Sequence, residues 1–229
     1  MISLLPEEKK ERIKHLVKEW LYRKFDDIQK IDPLSLLPNP FLLRILGIKE
    51  NSLEAYEFRI RQRLERTLVT SFGSVFQEVL KVLDKEAGIE DIDLVFEKNG
   101  RTHYVQLKSG PEGFTRPALR RTKQTFKELK EQDPNCVTVI GFAYGSNKHL
   151  SPVWGQEAKE SADLLLAGKD LWDFFFGEGT YKEILDIFEE AGSEVVREKT
   201  DGKSGGFYQV FVKMLLEKVK VVDTLSTDE

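Results

Sequence analysis

The stretch Asp91–Pro111, DIDLVFEKNGRTHYVQLKSGP, predicts two antiparallel strands joined by a tight turn at Asn99-Gly100. Both turn residues tolerate the positive φ that a two-residue hairpin turn requires. Counting outward from the turn gives the facing pairs: Lys98 with Arg101, Val95 with Tyr104, Asp93 with Gln106, and Asp91 with Lys108. Because side chains alternate across a strand, the two aspartates, the glutamine and Lys108 share one face of the hairpin.

This polar face has the residue types of a metal-dependent hydrolytic site. Mg²⁺ takes oxygen ligands, usually one or two carboxylates together with substrate phosphate and water, and a nearby lysine can activate the attacking water. The alternative is an exposed face with solvated charges, in which Asp91 and Lys108 form an ordinary cross-strand pair worth roughly a few tenths of a kcal/mol. The register, the Gly110-Pro111 exit and the preceding helix together favour a site for phosphodiester hydrolysis.

An acidic strand start followed by Gln106-Leu107-Lys108 resembles the PD-(D/E)xK nuclease core, with glutamine in the middle acidic position. More closely, several segments between residues 39 and 176 resemble the TdeIII/MjaII-like type II restriction endonucleases. These segments are Asn39-Pro40-Phe41, Thr70-Ser71-Phe72-Gly73, Gln106-Leu107-Lys108-Ser109-Gly110-Pro111, Gly141 with Tyr144-Gly145, and Gly168-Lys169-Asp170-Leu171-Trp172.

The resemblance implies a restriction-endonuclease-like α/β core, in which a small mixed sheet with a catalytic hairpin is flanked by helices. It also implies Mg²⁺-dependent cleavage of double-stranded DNA at a short palindrome, with a GGNCC-type site suggested. The enzyme is then expected to act as a homodimer, with a companion methyltransferase acting on the same site. A palindrome has a two-fold axis and one chain has one hairpin, so a C2 dimer places one site on each strand.

The resemblance also suggests a role for each site residue. Asp93 is the principal metal ligand, Gln106 a weaker ligand, and Lys108 the residue that places water and phosphate, while Asp91 is the second choice for the ligand. Glu78, on the preceding helix, is either a supporting carboxylate or an ordinary surface residue. The predicted catalytic residues are therefore Asp93, Gln106, Lys108 and Glu78, and the predicted metal site comprises Asp93, Glu78, Gln106, Leu107 and Asp91.

The predicted DNA contacts follow the hairpin. Ser109 and Gly110 can bring backbone close to a phosphate, and Thr115 can cap a basic helix. The loop after the apolar run 136–143 can reach a groove of the DNA. The predicted DNA-binding residues are thus Ser109, Gly110, Arg116, Arg120, Lys123, Asn147 and Lys148. An ordinary basic surface helix and a solvated turn are the alternatives for the last five.

Composition describes a globular protein. The chain has 229 residues, 40% hydrophobic and 32% charged, with a formal net charge of −4. This charge argues against a general nucleic-acid coat protein but not against a DNA enzyme with clustered basic residues. The sequence shows no membrane span and no signal-peptide pattern, so we expect a cytoplasmic protein, and the single cysteine, Cys136, is expected to be buried.

One domain over residues 1–229 is expected, with a helical amino-terminal elaboration (1–50), a nuclease core (51–150) and a helical carboxyl-terminal part (151–229). Residues 87–90 leave little room for the strand that usually precedes the hairpin. The element predictions are a helix from Pro6 to Lys30; a short packed helix in FLLRILGI; a helix from Ser52, interrupted at 70–74 and followed by another; a buried strand at 136–143; helices at 156–166, 169–176 and 181–191; a strand at 194–199; and a helix from Phe207.

Two other functions remain open. A repair or recombination nuclease that recognises DNA ends or structure would use the same chemistry. A DNA-binding protein with a decayed active site would also explain glutamine at position 106. The sequence contains no G-x-x-x-x-G-K-[ST] phosphate-binding loop, which argues against a fused motor.

Overall fold

A computed structural model describes the backbone of most of the chain and, for residues 86–88, 152–155 and 221–225, the backbone alone. The described residues are 5–36, 38–83, 86–89, 91–110, 115–146, 148, 152–200 and 206–225.

A five-stranded mixed sheet in the order β1-β2-β3-β4-β5 lies among helices. Its strands are β1 (Glu86–Ile89), β2 (Ile92–Lys98), β3 (Arg101–Lys108), β4 (Val137–Phe142) and β5 (Leu164–Ala167). The helices are α1 (Glu7–Gln29), α2 (Pro40–Ile45), α3 (Leu53–Leu83), α4 (Arg116–Gln132), α5 (Pro152–Lys159), α6 (Lys169–Phe176), α7 (Thr180–Lys199) and α8 (Phe207–Leu225), with a 3-10 turn at Pro33–Ser35. The predicted α/β class is confirmed.

The β2-β3 hairpin has the predicted register. Val95 faces Tyr104 and Lys98 faces Arg101, with Asn99 (φ 54°) and Gly100 (φ 71°) in the turn. The expectation that residues 87–90 leave little room for a strand is wrong, because β1 lies there and pairs antiparallel with β2. Asp91, directly before β2, takes a left-handed conformation (φ 59°) that is typical of a tight turn.

Helices cover both faces of the sheet in this part of the chain. Leu119, Phe126 and Leu129 of α4 form a buried cluster with Ile140 and Phe142 of β4, which sit beside Gln106 and Lys108 in the parallel register. Residues in parallel register point to the same face, so α4 covers the face that carries Gln106 and Lys108.

The opposite face of the sheet packs against α6. Gly141 lets Leu171 pack close to the sheet, because a Cβ atom there would lie 2.8 Å from a methyl carbon of Leu171 and 2.9 Å from one of Leu107. Phe175 stacks on Phe96 of β2 with 4.4 Å between ring centroids. The two faces of the hairpin therefore have different environments.

Two predictions for the amino-terminal half are wrong. The helix that begins after Ser52 is not interrupted at 70–74, because Ser71 and Ser74 direct their hydroxyls to carbonyl oxygens of the preceding turn and Gly73 lies within the 31-residue helix α3. The short helix α2 forms as expected, capped by Asn39, but it is not fully packed. Phe41 is 79% exposed and Ile45 is 82% exposed, and Leu43 is the buried residue of this helix.

Two predictions for the carboxyl-terminal half are also wrong. Leu164–Ala167 is a strand parallel to β4, not the end of a helix from residue 156, because α5 ends at Lys159. Residues 194–199 belong to α7, not to a strand. Within this segment, Glu194 forms ion pairs with Lys14 and Lys18 of α1. The predicted helix from Phe207 is confirmed as α8.

By their contacts the residues form two compact units. The first is Met1–Ile13 with Phe76–Ile187 and contains the sheet. The second is Lys14–Val75 with Phe188–Glu229, and it is built around a cluster from α1, α3 and α8 that includes Phe25, Ile60, Leu64, Phe211 and Leu215.

Candidate active site

Asp93 and Gln106 meet across the hairpin, as the register predicts. Oδ2 of Asp93 accepts a hydrogen bond from Nε2 of Gln106 at 2.5 Å and another from the backbone N–H of Leu107 at 2.6 Å. Both bonds end on Oδ2, so Oδ1 takes part in neither. Two donors on one oxygen thus fix the orientation of this carboxylate.

Gln106 is 3% exposed, and its Oε1 is buried without a hydrogen-bond partner among the described residues. A buried acceptor that lacks a partner costs about 1–3 kcal/mol. An oxygen in this state suits a hard cation, which takes carboxylate and amide oxygens. Asp93 and Gln106 therefore fit a magnesium ion for two reasons. Their side chains carry the carboxylate and amide oxygens that the ion prefers, and Oε1 of Gln106 has no hydrogen-bond partner among the described residues.

The electrostatic setting of Asp93 is shaped by burial and by its neighbours. Burial raises the pKa of its carboxyl group, and the nearby charge of Asp91 raises it further. The Leu107 N–H, the positive charge of Lys108 and the Gln106 amide act in the opposite direction. Together these effects raise the pKa of Asp93. The ionised carboxylate is therefore unfavourable in this buried position unless a cation compensates its charge.

Lys108 ends β3 beside this pair and is half-buried. Its carbonyl oxygen accepts from the N–H of Ala143 at 2.9 Å, and that of Ser109 accepts from Tyr144 at 3.3 Å. The Tyr144 ring packs directly against the Gly110 backbone, where an added Cβ would lie 2.3 Å from the ring. These contacts continue the pairing of β3 with β4 beyond the ends of the two strands.

Asp91 does not lie opposite Lys108 within the ladder, because β2 begins at Ile92 and Asp91 belongs to the preceding turn. Its carboxylate forms an ion pair with Arg121 of α4, with 3.7 Å between Nε and Oδ2. Glu78 is exposed and forms an ion pair with Lys81 at 3.1 Å. In the part of the chain that the structure describes, no three His, Cys, Asp or Glu side chains are grouped to hold a metal, so Asp93, Asp91 and Glu78 are not assembled as such a group.

The predicted DNA-binding residues lie in different surroundings. Arg116, Arg120 and Lys123 line a groove of about 330 Å³ together with Glu157 and Glu160. Thr115 caps α4 as predicted, because its Oγ1 accepts from the N–H of Ala118 at 3.4 Å.

Of the other predicted DNA-binding residues, Ser109 and Gly110 follow β3, and Lys148 lies after β4 in the chain. Ser109 and Lys148 are exposed and Gly110 is buried, while Asn147 lies outside the described residues.

Arg121 is the residue next to the site that sequence reasoning missed. It is not among the predicted DNA-binding residues, although it lies on the same helix as Arg116, Arg120 and Lys123. Residues five apart on a helix differ by about 140° in direction, whereas residues three or four apart share a side. The spacing of Arg121 from Arg116 places it on another side of α4 but does not identify Asp91 as its partner.

The mixed sheet and its flanking helices are compatible with a restriction-endonuclease-like fold. The sequence matches the family described as type II restriction endonuclease EcoO109I over residues 7–195. The chain belongs to that family, whose members are endonucleases that act on DNA. No curated protein gave a significant match to the sequence. None of the described helices combines the length and apolar character needed to cross a membrane.

Proposed function

We propose that the protein is a Mg²⁺-dependent type II restriction endonuclease that cleaves double-stranded DNA at a short palindromic site. The observation that carries this proposal is the buried Asp93-Gln106 pair, with its unpartnered amide oxygen, next to Lys108. The likeness of QLKSGP and its companion segments to the TdeIII/MjaII-like enzymes supports a GGNCC-type site.

Asp93 and Gln106 are the residues that would hold the ion. Bound Mg²⁺ lowers the pKa of coordinated water and offsets negative charge on the phosphate. The Leu107 N–H and the Gln106 amide keep Asp93 in one orientation. Lys108 places its ammonium group at the end of β3, where it orients water and the phosphate that is attacked. Attack by water leaves no covalent bond between DNA and the protein.

The proposal includes a C2 homodimer, a companion methyltransferase that protects the same site, and a cytoplasmic location. A two-fold symmetric site has two scissile phosphates, and the chain has one Asp93-Gln106 hairpin, so two chains serve the two strands. Sedimentation with a cognate duplex should show two chains per DNA. One chain per duplex, with nicked plasmid as the product, would contradict the dimer and favour a repair nuclease.

Incubation of the protein with plasmid DNA and Mg²⁺ tests the proposal. Discrete fragments are expected from the wild type, and none from Lys108→Ala, which should retain folding and DNA binding because Lys108 is half-buried at a strand end. Duplexes with and without a GGNCC site then test the specificity. A smear would support a nuclease without site preference, and binding without cleavage would support a decayed DNA-binding protein.

A further inference from the structure

The basic residues of α4 point in two directions. Five of them follow one another at steps of four and three and fall within about 40° of Arg116 around the helix axis. We call this set the basic stripe: Arg116, Arg120, Lys123, Lys127 and Lys130. Arg121 lies about 140° away from Arg116 around the same axis.

The basic stripe faces acidic residues. Its members line two adjoining grooves, opposite Glu157, Glu160 and Asp163. Lys130 forms an ion pair with Asp163 at 2.7 Å, and Asp163 also accepts hydrogen bonds from Thr138 of β4. Part of the positive charge of the stripe is therefore offset by charge within the protein.

Arg121 instead reaches the start of the catalytic hairpin. Its Nε lies 3.7 Å from Oδ2 of Asp91, which is two residues ahead of Asp93. Leu119 and Phe126, on the buried side of α4, pack in one cluster with Ile92, so the helix is anchored to this end of β2. The Arg121 side chain is 64% exposed. The contact with Asp91 uses Nε and leaves the two terminal nitrogens outside this ion pair.

We propose that Arg121 binds a backbone phosphate of the DNA at the catalytic site, and that Asp91 positions Arg121 as its counter-ion and is not a metal ligand. The inference rests on the proposed function and deepens it. A guanidinium presents planar, paired N–H donors that match a phosphate, and a carboxylate on Nε fixes the plane of those donors. The left-handed turn at Asp91 directs its carboxylate to α4, away from the ladder that brings Asp93 to Gln106.

Kinetics on a duplex that the wild type cleaves test Arg121. Arg121→Ala should lower kcat/KM by roughly 10- to 100-fold, which corresponds to the loss of one charge-assisted hydrogen bond or a bidentate pair. Arg121→Lys should recover part of this loss, because it keeps the charge without the fork. The matched control is Arg44→Ala, which removes another exposed arginine that is paired with a carboxylate, Glu50, at 3.3 Å. Equal rates for Arg121→Ala and Arg44→Ala would overturn the inference.

Asp91→Asn separates a counter-ion from a metal ligand. As a counter-ion, Asp91 acts through Arg121, so Asp91→Asn in the Arg121→Ala background should add little to the loss. The Mg²⁺ concentration for half-maximal rate should stay within about twofold of the wild-type value. Additive losses, with a Mg²⁺ requirement raised tenfold or more by Asp91→Asn alone, would show that Asp91 is a metal ligand and overturn the assignment.

DNA binding without cleavage keeps this test separate from the proposed function. With Ca²⁺ in place of Mg²⁺, the slope of log affinity against log salt should fall by about one for Arg121→Ala, as expected for one lost phosphate contact. A wild type that binds but never cleaves would end the proposed function, and the salt slope would still decide the role of Arg121. An unchanged slope would overturn that role.

Discussion

The side-chain amide of Gln106 donates to Oδ2 of Asp93 across the hairpin, while its own oxygen stays buried without a partner among the described residues. The pair therefore combines a carboxylate whose charge is costly with an acceptor that is unsatisfied. A cation bound between these oxygens would offset the charge of Asp93 and give the Gln106 oxygen a partner. This relationship leads to measurable consequences for stability as well as for catalysis.

The first prediction concerns the pH dependence of stability. Burial raises the pKa of Asp93 in the folded state above its unfolded value, so the folded state binds the proton more tightly. The penalty is absent below the unfolded pKa of about 3.9, grows as pH rises through the interval between the two values, and is complete above the folded pKa. Asp93→Asn should therefore gain stability relative to the wild type as pH rises from about 4 to 7.

Thermal unfolding in EDTA measures this trend, because it keeps divalent metal out of the comparison. Asp163→Asn is the matched control. The Lys130 ion pair and the hydrogen bonds from Thr138 outweigh burial and lower the pKa of Asp163, so its ionised form stabilises the fold above the unfolded pKa. Asp163→Asn should therefore be less stable than the wild type by a nearly constant amount between about pH 5 and 7, and this deficit should disappear as pH falls below about 4. A parallel trend in the two variants would contradict the electrostatic description of Asp93.

The second prediction concerns metal binding without any activity readout. Mg²⁺ at 100 times its dissociation constant should stabilise the folded wild type by about 2.7 kcal/mol, because the ion binds the folded state. Asp93→Asn should lose most of this gain, since it removes the carboxylate that carries the charge. Calorimetry with and without Mg²⁺ measures the difference. A full metal-dependent rise in the Tm of Asp93→Asn would place the ion elsewhere.

The third prediction concerns the neutral amide. Gln106→Glu removes the donor to Asp93 and places two carboxyl groups at hydrogen-bonding distance in a buried position. Two such groups resist joint ionisation, so the variant should unfold at a lower temperature than the wild type in EDTA at neutral pH. Mg²⁺ should restore more stability to Gln106→Glu than to the wild type. Gln106→Ala, which has no added charge, should lose stability without this recovery.

Local turn chemistry explains which parts of the site could be predicted from the sequence. Asn99-Gly100 fixes the register, and the register alone brings Asp93 to Gln106. The ion pair between Asp91 and Arg121 was not predictable in this way. It depends on a left-handed residue outside the strand and on how α4 packs against the sheet, and neither feature has a local pattern.

Tertiary contacts explain the errors in the elements. Leu164–Ala167 is short and apolar, and such a run fits a helix end as well as a strand until the pairing with β4 is known. Gly73 and its serine neighbours are typical of a break, but each serine hydroxyl bonds to a carbonyl within the helix. Phe41 and Ile45 show the converse, since an apolar sequence does not by itself ensure burial.

The fourth prediction concerns Glu78, for which sequence and structure suggest different outcomes. A supporting ligand predicts that Glu78→Gln lowers cleavage by orders of magnitude. The structure shows an exposed side chain in an ion pair with Lys81, and such a pair on a helix is worth about 0.3–0.5 kcal/mol. We therefore expect Glu78→Gln to cleave within about threefold of the wild-type rate, which single-turnover assays would measure, with Asp93→Asn as the inactive comparison. A cleavage rate lowered a hundredfold or more in Glu78→Gln would show instead that Glu78 takes part in the active site.

The last prediction uses two glycines to test the geometry that holds the strand ends together. Gly168 has φ 52°, and a Cβ there would lie 2.3 Å from the carbonyl oxygen of Gly145, so Gly168→Ala should lower the free energy of unfolding by about 1–3 kcal/mol. Gly192 lies within α7, and an added Cβ would meet no atom within 4 Å apart from its chain neighbours and the nearby backbone of its own helix, so Gly192→Ala should raise the free energy of unfolding by about 0.5–1 kcal/mol. Urea unfolding measures both changes.

The N–H of Gly168 donates to the carbonyl oxygen of Phe142 at the end of β4, beside Lys108, so Gly168→Ala should also slow cleavage while Gly192→Ala should not. Equal effects of the two substitutions on stability would contradict the close contact at Gly145.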